Sequence, residues 1–117
     1  MIIEDYFYEK FIKNPEKGTD RIFNFLSKIN HPQKKLKNII HVAGTNGKGS
    51  TIEFLRSCLT SNQLTSNVFT SPHLLKINER FIINDKIIDD NLLSSVIENC
   101  SDFCSDQELS FFEFITA

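Results

Sequence analysis

An α/β fold with parallel strands flanked by helices is what this sequence predicts, and three observations predict it. Residues 39–43 form a continuous, β-rich apolar run of strand length, and it breaks off in Gly44-Thr45-Asn46-Gly47-Lys48-Gly49-Ser50. Beyond that loop Ile52, Leu55, Cys58 and Leu59 recur at the three-and-four spacing of a helix. A second strand candidate, residues 67–70, follows a short polar link. Strand, loop, helix and strand then make one βαβ unit, its strands parallel, its crossover right-handed and both strand ends on one edge.

The remaining elements follow in order. Ile3, Phe7 and Phe11 recur every four residues, predicting a short amphipathic helix from Ile2 to Ile12 that Asn14-Pro15-Glu16-Lys17-Gly18 breaks. Asp20 caps a second helix with Ile22, Phe23, Leu26 and Ile29 on one stripe, and His31-Pro32 closes it. Residues 33–38 carry three lysines and no apolar run, as a solvated connection does. After the βαβ unit, Phe81-Ile82-Ile83 and Ile87-Ile88 flank Asn84-Asp85-Lys86, which predicts a hairpin projecting from the main sheet. Asp89, Asp90 or Asn91 caps a helix carrying Leu92, Leu93, Val96, Ile97 and Phe103. Ser110 and Glu113 have the spacing of a capping box before a last helix.

Composition bounds the function. The 117 residues are fewer than one typical domain, so one core at most is expected. With 40% hydrophobic and 24% charged residues the chain is of ordinary globular make-up. Thirteen Lys and Arg against fifteen Asp and Glu leave a net charge of −2, which gives no footprint for nucleic acid or an anionic membrane. Any phosphate binding must therefore be local. The longest apolar runs fall short of the about 20 residues that span a bilayer. Cys58, Cys100 and Cys104 make no even disulfide framework and no second cysteine pair completes a zinc site, so structural thiols in a reduced, cytoplasmic chain are expected. No charged n-region, apolar h-region and cleavage site opens the sequence, so no secretory leader is expected.

The loop carries the sharpest chemistry. Its glycines let backbone amides turn inward, and the following helix N-terminus adds partial positive charge, so an anion is welcome there. Lys48 suits the β/γ-phosphates of a nucleoside triphosphate, and Ser50 stands where phosphate loops place a Mg²⁺ ligand. The spacing is a variant one: Val42 occupies the place of the first glycine and Gly49 separates Lys48 from Ser50. Ser50 and Glu53 also fit a capping box, so Ser50 is equally a candidate cap. Thr70-Ser71-Pro72-His73 ends the second strand, on the side where open α/β sheets bind ligands, and the Ser71 hydroxyl is a hard oxygen suited to Mg²⁺ or simply a turn serine. His73 has no assigned role.

Three segments in order resemble one family. His41-Val42-Ala43-Gly44-Thr45-Asn46-Gly47-Lys48-Gly49-Ser50 is similar to the ATP loop of folylpolyglutamate and dihydrofolate synthases, of the Mur ligase superfamily. Ser71-Pro72-His73-Leu74 with Asn78-Glu79-Arg80-Phe81 resembles a second signature of that family, and Ser110-Phe111-Phe112-Glu113-Phe114 with Thr116-Ala117 a third. The resemblance implies a P-loop nucleotide-binding domain of Mur ligase type, truncated, in which residues 1–117 are the N-terminal part of the ATP-binding domain and the C-terminal glutamate-binding domain is absent.

It implies an ATP-dependent ligase joining glutamate to a folate or dihydropteroate carboxylate through an acyl phosphate, with ATP and Mg²⁺ as cofactors. Lys48 is then the catalytic residue. Asn46, Gly47, Lys48, Gly49 and Ser50 hold ATP, Ser71 and Ser50 hold the metal, and Lys17, Gly18, Ser110, Phe111, Phe112 and Glu113 are substrate-site positions. Thr19 departs from the family pattern, where an apolar residue is usual. The fragment is expected to be inactive alone and to act only with its missing remainder, for which a separately encoded C-terminal chain is one candidate beside a shortened or partial sequence. The alternative is a non-catalytic remnant with residual nucleotide binding. An unrelated P-loop kinase or GTPase is disfavoured by the other two segments.

Overall fold

The computed structural model describes residues 10–117. The helix expected from Ile2 to Ile12 lies outside the described residues except for its last three, of which Lys10 is in a turn, Phe11 in a bend and Ile12 in neither. Helices form at α1 (Asp20–Lys28), α2 (Lys48–Ser61), α3 (Asp90–Ser101) and α4 (Phe111–Thr116), and strands at β1 (Val68–Phe69), β2 (Phe81–Ile83) and β3 (Lys86–Ile87). No helix among the described residues is long and apolar enough to cross a membrane. Where one core was expected, the chain divides into two compact units: Ile39–Leu93, and the residues up to Asn38 together with Ser94–Ala117.

The unit built from the two chain ends has an aromatic centre. Phe11, Phe25, Leu26, Cys104, Leu109, Phe114 and Ile115 are buried, and Phe25 and Leu109 are wholly so. The Phe114 ring lies 5.1 Å from Phe11 and 5.8 Å from Phe25, within the range of favourable tilted pairs. Backbone bonds from Ile12 to Leu109 and from Gln107 to Lys10 tie the early segment to the loop before α4. The α1 stripe differs from expectation in two ways. Thr19, not Asp20, occupies the N-cap, and Phe25 is the buried ring while Phe23 is 57% exposed. Positions 22, 25, 26 and 29 lie on one helical face, and Phe23 sits at its margin.

The Ile39–Leu93 unit carries the sheet, which is three-stranded, ordered β1-β2-β3 and antiparallel throughout. This corrects the parallel βαβ expectation. Residues 39–43 join no ladder, with Ile39 70% and Ile40 64% exposed. β1 pairs instead with β2, Val68 opposite Ile82 and Phe69 opposite Phe81, their two Phe rings 5.4 Å apart. A parallel pair needs a long crossover and cover on both faces, whereas β2 and β3 close through two residues. Asn84 and Asp85 both have positive φ, as the type I′ turn demands, so the predicted hairpin forms. It does not project from another sheet: it is two-thirds of this one.

The three cysteines are free, with Cys58 exposed, Cys100 half-buried and Cys104 buried. Burial pushes the Cys100 and Cys104 thiols up, away from the reactive thiolate.

Phe25→Ala should cost about 3–5 kcal/mol in urea unfolding, the usual cost of emptying a buried Phe site, while Phe23→Ala should stay within about 0.5 kcal/mol. Equal losses would place the stripe elsewhere.

Candidate functional site

The glycine loop folds by handedness. Gly47 is the N-cap of α2 at φ 77°, a left-handed conformation that a side chain would strain, and Gly44 has φ 154°. The helix therefore starts at Lys48, and the first bond of its ladder runs from the Thr51 amide to the Gly47 carbonyl. The amides of Lys48, Gly49 and Ser50 lie in the first turn, where no intrahelical acceptor exists. Lys48 Nζ donates to the Gly44 carbonyl at 2.6 Å, closing the loop on itself. An ammonium has three donors, so two remain for an anion. The Ser50–Glu53 capping box does not form: Ser50 is already the third helical residue, and the Glu53 carboxylate pairs with Arg56 at 2.9 Å.

The second segment is a braced loop. Ser71 is exposed and joined to Pro72 by a cis peptide bond. Downstream, the Glu79 carboxylate accepts the amides of Leu74, Leu75 and Lys76 at 2.8, 2.9 and 2.8 Å. Those bonds, led by Leu74, hold its carboxyl below the usual range. Arg80 is buried, and its Nε donates to His73 Nδ1 at 2.8 Å. Asn78, also buried, donates to the Ile88 carbonyl at 3.0 Å and to Asp90 Oδ1 at 2.8 Å. Sequence reasoning gave Glu79 and Arg80 no individual role; their signal was only their place in a quoted segment.

The third segment lies in the other unit, with Lys17 and Gly18, which are both exposed. Its capping box forms as expected: Ser110 Oγ accepts from the Glu113 amide, and Glu113 Oε2 accepts from the Ser110 amide at 2.8 Å. Arg21 adds a bond to Glu113 Oε1 at 2.9 Å, a partner 92 residues away that no sequence spacing reveals. Phe111 packs edge-on against Phe11, with ring centres 5.9 Å apart, and Phe112 is half exposed. Burial would raise the Glu113 carboxyl, but the bonds from Arg21 and the Ser110 amide outweigh it and hold it low.

No family model matches the chain. Individual proteins do. It is 40% identical over 80 residues to the dihydrofolate synthase/folylpolyglutamate synthase of Bacillus subtilis, covering 68% of this chain and 18% of that protein. It is 35% identical over 104 residues to the folylpolyglutamate synthase of Lacticaseibacillus casei, covering 83% of this chain and 24% of that one. The folylpolyglutamate synthetase structure from Lactobacillus casei superposes with a TM-score of 0.80 at 28% identity, over 97% of this chain and 30% of that one. Its relatives are folylpolyglutamate and dihydrofolate synthases. A bifunctional synthase of this kind from Yersinia pestis, solved with AMPPNP and a Mn ion, matches at 31% identity and a TM-score of 0.72, over 89% of this chain and 25% of that one. The chain thus spans less than a third of the length of each of these proteins.

The Glu113 cluster should leave an acid signature. Its carboxyl is lower in the folded state, so its contribution is complete above the unfolded value of about 4.3 and is lost as pH falls through the folded one. Glu113→Gln should therefore destabilise the unit at pH 7 and flatten the loss of stability below pH of about 4.3 in a pH series of urea melts. An unchanged acid limb would show that the pair with Arg21 contributes nothing.

Proposed function

We propose that this chain is the ATP-loop portion of an ATP-dependent ligase that joins glutamate to a folate or dihydropteroate carboxylate through an acyl phosphate. The observation that carries the reading is the loop at α2, closed by Lys48 on Gly44, in a chain whose structural relatives are solved with a nucleotide analogue. In such phosphoryl transfer, positioning and charge neutralisation dominate. The amides of Gly47, Lys48, Gly49 and Ser50 cradle the phosphates, Asn46 lines the loop, and Lys48 neutralises charge that builds on the transferred group.

A divalent cation belongs to this chemistry, and the donor set fits a hard one. Ser50 and Ser71 offer hydroxyl oxygens, while no three His, Cys, Asp or Glu side chains gather among the described residues. Mg²⁺, which keeps several waters and takes few protein ligands, suits such a set, with Ser50 and Ser71 holding it beside the phosphates. When bound, it supplies further charge neutralisation. For the acceptor, Lys17, Gly18 and Ser110 to Glu113 remain the proposed positions. Phe112 presents a half-exposed ring to a flat pterin, and Glu113, occupied by Arg21 and the Ser110 amide, acts by fixing the helix start that carries the rings.

Binding of Mn²⁺·AMPPNP to the 117-residue chain tests the reading. Lys48→Ala should weaken it by about 10- to 100-fold, the loss of one charge-assisted contact. Ser71→Ala should act more gently, raising the Mn²⁺ requirement while nucleotide still saturates. Wild-type affinity in Lys48→Ala would return that lysine to the surface, and an unaltered metal midpoint would remove Ser71.

A further inference from the structure

We propose that Glu79 is a positioning residue for the nucleotide site: by gathering the amides of three consecutive residues it fixes the loop that carries Ser71. This rests on the reading above, in which Ser71 meets the metal.

The loop has no packing of its own to shape it. Leu74 is 90% and Leu75 86% exposed and Lys76 is exposed too, so burial does not hold residues 74–76 in place. Two adjacent side chains do. Glu79 takes the amides of Leu74, Leu75 and Lys76, and Arg80 takes the His73 ring. Both arise from one 3₁₀ turn, Ile77–Arg80, in which Ile77, Asn78 and Arg80 are buried and Asn78 is bonded to the Ile88 carbonyl and the Asp90 carboxylate. The anchor is therefore rigid and the loop is suspended from it.

The bond from the Lys76 amide is ordinary capping, made by the third residue of the turn to its N-cap. The Leu74 and Leu75 amides precede the turn, and gathering them orders the chain toward Ser71, not the turn itself. Outer partners of this kind orient metal ligands, and their loss commonly weakens a metal site about 10- to 100-fold.

Mn²⁺ titrations of the 117-residue chain at saturating AMPPNP, read by the electron paramagnetic resonance signal of free Mn²⁺, test this. Glu79→Ala should raise the Mn²⁺ midpoint about 10-fold and leave metal-free AMPPNP affinity unchanged. Glu79→Gln should recover part of the loss, since its carbonyl still accepts from Leu75 and Lys76. In a Ser71→Ala background Glu79→Ala should add nothing, because the brace acts through Ser71. An unmoved midpoint, or effects that simply add, would overturn the proposal. A wild-type chain that does not bind Mn²⁺·AMPPNP would overturn the nucleotide reading beneath it. Should Glu79→Ala fail to fold, hydrogen exchange on the wild-type chain decides: slow exchange at the Leu74, Leu75 and Lys76 amides is required, and unprotected rates end the proposal.

Discussion

Backbone amides outside the regular ladders must find acceptors, and in this chain carboxylates supply those that the backbone carbonyls do not reach at several turns. Glu79 takes three amides, Glu113 takes Ser110, Glu108 takes Ser105, Asp89 takes Leu92 and Asp85 takes Ser66. With strands of only two and three residues, loops carry much of the architecture. An amide left without a partner is costly, and an ionised acceptor makes the stronger bond. Five of the fifteen acidic side chains thus have a structural part: they hold turns in defined shapes.

The same carboxylates link local to distant order. Glu113 caps α4 and receives Arg21 from α1, and Glu108 takes the Ser105 amide while pairing with Lys28 of α1 at 2.6 Å. Each therefore fixes a turn and clamps a helix in one step. The Phe11–Phe114–Phe25 cluster supplies the apolar counterpart, and the two kinds of contact converge on α1 and α4.

What was legible in the sequence was local. The Ser110–Glu113 box, the Asn84-Asp85 turn and the glycine start of α2 each depend on spacings of a few residues, and each formed. What was not legible depended on partners. A β-rich run at 68–69 does not reveal whether its neighbour is parallel, and the nearby hairpin took that edge. Ser50 and Glu53 had the spacing of a box, but the left-handed Gly47 had already begun the helix three residues earlier than that box needs. Arg21 and the triple use of Glu79 carry no pattern, since both follow from where the folded chain passes. The family likeness rested on short contiguous segments and held.

The bond from Lys48 to the Gly44 carbonyl holds the loop closed with one of the ammonium's three donors. On the proposed reading an arriving anion meets the two remaining donors and the first-turn amides of a loop that is already shaped. A singly charged, well-hydrated anion would use few of these, whereas a polyphosphate would spread several charges over the ammonium and the amides together. The closed loop would thereby favour anions of higher valence, and little ordering entropy would be lost when one arrives.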